Sequence, residues 1–530
     1  MAVKILDSQG NPMKASSFTG ANRARELACW NPRLKSADAD LIPERDKLVA
    51  RSRDIVRNHA TATSGLETHI DNVIGKGLKL SAKPDFKGLG LSADWANEFS
   101  EKAENAFRVW AEDVDYYCDA ARKSNFDGLQ VQAYKSSLWN GEILALSLWF
   151  PNRGGQYATA IQMIEPDRLC NPRGKPNSKT LRDGVEFDQY GSPVAYHIRT
   201  THQTDSMFGQ REEKWTRIPR YTPWGRARVI HIFENERPGQ TRGRPLFTPI
   251  LKKLKMLDMY QGAELETAII QTLYAAVIES EYDTISAMQA LGAHQYDDDS
   301  TTALQQQLTA SYMKTHLDYH DGAEIELNGS KVVHLMPHEK LKFMTSNQAH
   351  NGFKDFEESI LRHCAAGLGV TYEQISKDYS KVSYSSARAA MRDAWKHFER
   401  KRSNVAAKFA TQCYALVLEE IFDKGLVPIP QGAAGYYDAK TEYTRCRWIG
   451  PGKGYVDPLK ERKAAQLGIQ MGVTTLEDEC AEQGKDYIEV LEQRAREKAK
   501  MEELGLTPMD LAFAFNTEEE TNETPTNTNI

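Results

Sequence analysis

From Glu44 onward, Leu48, Ile55, Ala62, Leu66, Ile70 and Val73 recur at steps that fit one face of a helix, and Gly75 and Gly77 predict its end. Trp95 to Glu112 and Asn125 to Asn140 read as two further helices, ahead of an apolar strand at Ile143 to Phe150. Between Tyr157 and Phe233 the texture changes to short alternating runs such as VAYHIR and RVIHIF, separated by Gly and Pro turns, which predicts a small β-rich region. Leu246 to Glu279 is the longest uninterrupted helical stretch of the middle, with Pro249 expected in its first turn, and would extend about 50 Å. Its apolar side carries Ile250, Leu254, Leu257, Leu265, Ala268 and Ala275; Lys252, Lys253, Lys255, Gln261 and Glu264 are polar. So long a helix must be buried by several neighbours or lie beside copies of itself.

A polar segment from Glu281 to Thr302 follows, then a short helical stretch to Leu317, a strand pair over Ala323 to Leu335 and the loop MPHEKLKFMTSNQAHNG. Phe353 to Gly367 and Ser385 to Lys424 read as helices, the second with a stripe of Met391, Trp395, Phe398, Val405, Phe409 and Leu416 and a stop at Gly425. A final helical stretch runs to Leu504, and the tail NTEEETNETPTNTNI is acidic and of low complexity. The pattern is α+β, mainly helical, over more than one domain.

The 530 residues carry 40% hydrophobic and 26% charged side chains, the composition of a globular protein. No window approaches the run of about 18 apolar residues that a membrane helix requires, and mean hydropathy is −0.58, so no membrane partner is expected. The start, MAVKILDSQGNPMK, has no signal-peptide pattern, and an intracellular product is expected. Seven cysteines are spread singly without a CxxC pair, which argues for free thiols. The net charge of −6 is wrong for a tight nucleic-acid binder, whose affinity comes from neutralising phosphates, yet it permits nucleic acid to slide past. Arg45, Lys47, Arg51, Arg53 and Arg57 form a basic cluster that is expected to be a solvated or subunit-pairing face, with contact to nucleic acid as the alternative.

Enzyme signatures are weak. His316 and His320 stand one helical turn apart, but the Glu that a zincin places directly after its first His is missing. His334 and His338 share that spacing with Pro337 between them, which breaks a helix. Gly450 to Gly454, GPGKG, lacks the hydroxyl residue and the preceding glycine of a phosphate loop and reads as a tight turn. Neither a cofactor nor a metal is expected. The competing enzyme reading is a metal-dependent nuclease or protease built on His316, His320 and nearby acids.

Four separated blocks carry a resemblance: RSRDIVRNHATATSGLETHIDNVIGKGLKL (Arg51 to Leu80), RVIHIFENERPGQTRGRP (Arg228 to Pro245), GLGVTYEQISKDYSKVSYSSARAAMRDAW (Gly367 to Trp395) and WIGPGKGYVDPLKE (Trp448 to Glu461). Together, in this order, they resemble the lambda-type tailed-phage portal protein family. That resemblance implies a structural protein without catalytic residues, a homo-oligomeric ring typically of twelve copies at one capsid vertex, and a channel through which double-stranded DNA enters and later leaves. It also implies as partners the terminase large subunit, head-completion or adaptor proteins, and the major capsid and scaffolding proteins, with assembly in the host cytoplasm and a final place in the virion.

By chain order the resemblance implies an N-terminal arm over 1–43, a wing over 44–243, a stem helix over 244–280 and a clip over 281–302. A second stem or strand region over 303–336, a tunnel loop over 337–351 and wing helices over 352–455 would follow, then a crown over 456–505 and an acidic tail over 506–530. The β-rich Val185 to Phe233 is the alternative clip. Lys252, Lys253, Lys255, Gln261 and Glu264 become candidates for lining the channel, and His338, Glu339, Lys340 and Lys342 candidates for the tunnel loop. In SYSSAR, Ser385 or Ser386 is expected to cap a helix, and Arg388 to pair across a subunit boundary.

Overall fold

Ser36 precedes the first helix, and its hydroxyl oxygen accepts the Ala39 N–H at 3.2 Å, while Asp38 and Asp40 face the positive end of the helix dipole. Helix α1 therefore spans Ala37–Asn58, starting ahead of Glu44 and running through Pro43. The computed structural model describes residues 27–202, 204, 214–273, 277–280, 311, 314–315, 318, 324–327, 330–333, 339–342, 353–380, 383–454 and 457–505. At His59 the backbone turns extended (φ −119, ψ 113), which separates α1 from α2 (Ala60–Val73). Gly75, at φ 59, returns its N–H to Ile70 O at 2.8 Å and closes α2.

Strand β1 (Lys79–Ala82), helices α3 (Ala93–Ala111) and α4 (Phe126–Trp139) and strand β2 (Glu142–Trp149) follow, the helices close to the expected ranges and capped by Ser92 and Asn125. The β-rich region supplies β3 (Thr159–Met163), β4 (Leu181–Arg182), β5 (Val185–Phe187), β6 (Pro193–Arg199), β7 (Trp215–Pro219) and β8 (Val229–Phe233). These form two antiparallel sheets, ordered β3-β2-β8 and β4-β5-β6-β7. Leu144, Leu146, Ile164, Leu169, Val185, Tyr196, Ile198 and Val229 join them in one apolar cluster.

Helix α5 covers Leu251–Leu273, not Leu246 to Glu279. Pro249 lies ahead of it, in turns closed by Thr248 N–H to Pro245 O and Ile250 N–H to Phe247 O. The last part of the expected helix is instead strand β9 (Val277–Ser280). Strands β10 (Glu324–Leu327) and β11 (Ser330–Val333) make the expected hairpin, and β12 (Glu339–Lys342) pairs antiparallel with β9.

Helices α6 (Phe353–Leu368), α7 (Tyr372–Ser376) and α8 (Tyr384–Lys401) come next, then a π-helical turn at Arg402–Ala406 and α9 (Ala407–Asp423). The cap of α8 is Ser383, whose oxygen accepts the Ser386 N–H; Ser385 and Ser386 sit inside the first turn. After α10 (Lys440–Tyr443) and β13 (Cys446–Ile449), the C-terminal stretch is three helices, α11 (Pro458–Gln470), α12 (Leu476–Glu482) and α13 (Tyr487–Glu503). Gly472 and Gly484, at φ 69 and 74, divide them.

The chain forms two compact units: Met1–Leu251 with His363–Ile530, and Lys252–Arg362. In the first, Phe107 meets Phe126, Tyr414 and Trp448 at 5.4, 5.6 and 6.0 Å between ring centres, so α3, α4, α9 and β13 share an aromatic core. Trp110 is almost fully buried, and its indole N–H donates to Thr159 O at 2.8 Å, fixing α3 on β3.

The four sequence blocks converge in this unit. Arg402, at the π turn, donates to Val73 O and Asn72 O at 3.0 and 2.8 Å, the free carbonyls at the end of α2, and to Pro451 O at 3.2 Å. A Cβ at Gly450 would fall 2.5 Å from the Arg402 Nε, so GPGKG is a close-packed junction. Thr371 and Gln374 form a capping box on α7, whose Gln374 O accepts from Ser64 and Thr68 of α2. Gly65 packs its backbone against Leu368.

His69 of α2 is buried, with Nε2 2.9 Å from Leu368 O, and its ring meets His397 and Phe398 edge-on. Burial pushes His69 down to about 3 and His397 to about 4, so both are neutral in the fold. An unfolded chain takes up these protons below pH 6.5. Their contribution is therefore complete above pH 6.5 and declines as pH falls through the window down to about 4 and 3, by up to about 1.4 kcal/mol per pH unit for each histidine. Glu104 and Asp127, pushed up to about 7 and about 6 by burial, run the other way. The measurement is thus a difference: stability in urea is expected to fall less between pH 6 and 4.5 in a His69→Gln, His397→Gln variant than in the unaltered protein. Equal slopes would remove the histidines from the acid response.

Candidate functional site

Two of the five cations in the basic cluster turn inward, which corrects the expectation of a solvated or subunit-pairing face. Arg53 forks onto Asp167 at 2.6 and 3.1 Å and reaches Asn140 at 2.8 Å. Arg45 is 2% exposed and donates to Glu142 at 2.7 Å. Lys47, Arg51 and Arg57 are exposed.

Glu142, at the start of β2, is the centre of a buried ionic hub. Arg242 donates to it through Nε and Nη2 at 2.5 to 3.0 Å, His231 Nε2 lies 3.0 Å away, and the Gly243 N–H donates at 3.1 Å. Arg242 also serves Leu169 O, Pro166 O and Asp183, so it fastens both sheets to the loop that leads into α5. Burial alone would raise the Glu142 carboxyl; Arg242, Arg45 and His231 together hold it well below the usual range. Gly243 and Gly141 pass back to back, and a Cβ on Gly243 would lie 1.9 Å from Gly141 O. Sequence reading found the RGRP segment without its partner, since nothing local marks Glu142 as the acceptor.

In the second unit, α5 and α6 meet through Tyr260, whose ring lies 5.3 Å from Phe353 and 5.2 Å from Phe356. The five candidate lining residues fall into two groups. Lys252 and Lys255 are exposed, Lys255 pairing with Asp258 at 2.8 Å, and Lys253 is half-buried. Gln261 donates to Glu357 of α6 at 2.6 Å, and Glu264 hydrogen-bonds Tyr260, so both are occupied within this unit.

Helix α5 also exposes apolar side chains: Met256 at 57%, Met259 at 67% and Leu265 at 63%. At 3.6 residues per turn Leu265 projects about 120–180° away from the two methionines, on the other side of the helix. The C-terminal helices α11 and α13 bury no residue, and Leu459, Leu467, Met471 and Val473 are all more than half exposed.

Glu339, Lys340 and Lys342 of the expected tunnel loop lie on strand β12, with Lys340 opposite Glu279 in register. His338 lies outside the described residues, as do Glu281 to Thr302, His316, His320 and His334. Arg388 is half exposed, and its guanidinium is 3.7 Å from Glu461 of the same chain. Among the described residues no group of His, Cys, Asp and Glu could hold a metal ion, and no helix is long and apolar enough to cross a membrane.

Comparison with known proteins agrees with the sequence blocks. Portal protein B of Escherichia phage lambda is 36% identical over 497 residues, 93% of this chain and 91% of that protein. The portal protein of Escherichia phage N15 is 35% identical over 497 residues, 93% and 92% of the two chains. Among solved structures, a chain from the virion of the native gene transfer agent particle aligns at a TM-score of 0.44 with 11% identity, covering 86% of this chain and 94% of that one. One from the neck of that particle, computed with C12 symmetry, aligns at 0.42 with 12% identity, covering 84% and 99%. The model for the phage portal protein, lambda family, matches residues 23–402. This identity makes the chain a structural component rather than an enzyme and leaves the nuclease or protease reading without support. With sequence kinship running nearly end to end and all four blocks meeting in one folded unit, the chain belongs to the lambda family of phage portal proteins.

Proposed function

We propose that copies of this chain close into a ring, a dodecamer at one vertex of a phage capsid, and that double-stranded DNA passes through its centre during packaging and ejection. Family membership over 93% of the chain carries this reading. Helix α5 supports it physically, because a helix with apolar residues on two sides suits a position between two neighbours. In the ring α5 is a stem helix, with Lys252 and Lys255, and Lys253 beside them, nearest the channel; Gln261 and Glu264 hold α6 instead of DNA. Residues 337–351, with His338, Glu339, Lys340 and Lys342, form the tunnel segment, and 281–302 the clip that meets the terminase large subunit and later the head-completion or adaptor proteins. Residues 456–505 form the crown. Capsid and scaffolding proteins surround the outer face, the ring assembles in the host cytoplasm, and it ends in the virion.

Arg388 retains N–H donors beyond those one carboxylate at 3.7 Å can use, which leaves it able to reach a neighbour. A net −6 per chain becomes about −72 for twelve, and such a ring resists adhesion to a polyanion in transit. Native mass measurement and negative-stain microscopy test the reading. The expected particle is a ring of twelve 59.8 kDa chains, about 720 kDa, with a hole wide enough for a duplex. A monodisperse monomer under assembly conditions would overturn it.

A further inference from the structure

The C-terminal segment 457–505, helices α11 to α13, lies on the rest of its unit with almost no burial: only Cys480 and Asp486 are buried among its residues. Ion pairs hold it instead, running from cations of the body to carboxylates of the segment. Lys79 and Arg108 share Glu489 at 3.1 and 3.0 Å, and Lys83 and Arg447 share Glu477. Arg447 also reaches Asp478 at 2.9 Å, Lys453 reaches Glu482 at 3.4 Å, and Arg388 with Glu461, at 3.7 Å, repeats the polarity. All of these side chains keep contact with water, so each pair is weak and is screened by salt. Beneath the segment, Lys79 and Lys83 come from β1 and the chain just after it, Arg447 stands opposite Ser81 on the paired β13, and Arg108 comes from α3. Burial, and then the neighbouring Arg447, lowers the Lys83 amine from its ordinary value. The carboxyls beside these cations are Glu104, Glu112 and Asp127; burial pushes Glu104 up to about 7 and Asp127 to about 6, which leaves the cations in excess.

We propose that α12 and α13 form an acidic strap over a polyanion-binding face, and that duplex DNA competes with the strap's carboxylates for Lys79, Lys83, Arg108, Arg447 and Lys453. Carboxylates carried on two successive helices occupy these cations as a run of phosphates would. A duplex holds the advantage once it is close, because it presents about one charge per 1.7 Å and its binding releases condensed counterions, whereas the part-exposed pairs of the strap contribute little. With the strap down, the face is neutralised and DNA is not held fast. The face opens only where DNA is concentrated enough to displace the strap. Duplex DNA is the polyanion that the function proposed above brings to the protein, and the inference rests on that reading.

In the full-length chain, Glu477→Gln, Asp478→Asn, Glu482→Gln and Glu489→Gln together are expected to tighten binding of a short DNA duplex about tenfold in low salt, read by fluorescence anisotropy. Glu492→Gln, Glu497→Gln, Glu502→Gln and Glu503→Gln make the same change in net charge at exposed positions of α13 outside the ion pairs to the body, and are expected to give no such gain. Adding Lys79→Gln, Lys83→Gln and Arg447→Gln to the first variant is expected to return the affinity to that of the unaltered protein. A second measurement needs neither DNA nor a substitution: hydrogen exchange over 476–503 in the unaltered chain is expected to speed up as sodium chloride is raised, while α3, α4 and α9 stay protected. Exchange that does not respond to salt, or equal DNA affinity of the two neutralised variants, would overturn the strap. A gain that survives loss of the three cations would place DNA elsewhere and overturn the face. Native mass measurement separates this result from the ring: complete rings without the gain overturn the strap alone, and a gain in chains that never close retains the strap and overturns the ring.

Discussion

Glu142→Ala is expected to cost about 3–5 kcal/mol of stability, seen as a lower urea midpoint with little change in slope. The loss is large because the carboxylate neutralises two guanidinium groups that have no access to water: Arg242 is fully buried and Arg45 is 2% exposed. Removing Glu142 leaves both guanidinium groups charged and desolvated, with only Asp183 beside Arg242 and the more distant Asp46 beside Arg45 to offset them. Arg45 already leaves its Nε without a hydrogen-bond partner among the described residues, and its other acidic neighbour, Asp46, stands off at 3.6 Å. Replacing the arginines and the glutamate together by apolar residues, which often recovers stability at buried ion pairs, is expected to fail here. Arg242 also donates to Leu169 O, Pro166 O and Asp183, and its removal orphans those acceptors. Below the ordinary carboxylate range the same hub weakens: the depressed Glu142 value means its contribution is complete above about pH 4.5 and lost as pH falls toward the folded value. A Glu142→Ala protein within 1 kcal/mol of the unaltered chain would refute this account of the hub.

Elements set by short-range signals were legible in the sequence. Asn125, followed by an apolar periodic run, marks α4, and the alternation in VAYHIR and RVIHIF marks β6 and β8. Long-range pairing was not legible. Val277 to Ser280 continues the residue pattern of α5 and reads as helix, yet it pairs with Glu339 to Lys342, whose EKLK reads as loop; each strand depends on the other across about sixty residues. The helix expected from Glu44 begins at Ala37 for a different reason, since Ser36, Asp38 and Asp40 start it and Pro43 is carried inside it. Arg45 and Arg53 read as surface charge because their acceptors, Glu142 and Asp167, lie about a hundred residues downstream. The family blocks were visible as strings, while what joins them, Arg402 tying the end of α2 to Pro451 and Gln374 O accepting from Ser64 and Thr68, exists only once the chain is folded.

Met256→Glu together with Leu265→Glu is expected to abolish the ring while leaving each chain folded, so that the particle near 720 kDa gives way to a species of 59.8 kDa. Both side chains are more than half exposed in the isolated chain, so a carboxylate at either position meets water there and should leave thermal unfolding of the single chain nearly unchanged. Packed between neighbours, the same carboxylate must be desolvated without a partner, at several kcal/mol for each contact. A closed ring repeats that cost at every boundary, and the two substitutions lie on opposite sides of α5, so no boundary escapes both. Lys252→Glu is the control, because a charge directed toward a channel stays in water and should leave ring formation intact. Complete rings from the double variant would take α5 out of the subunit boundary, and loss of rings from Lys252→Glu would place that side chain between subunits instead of beside the DNA.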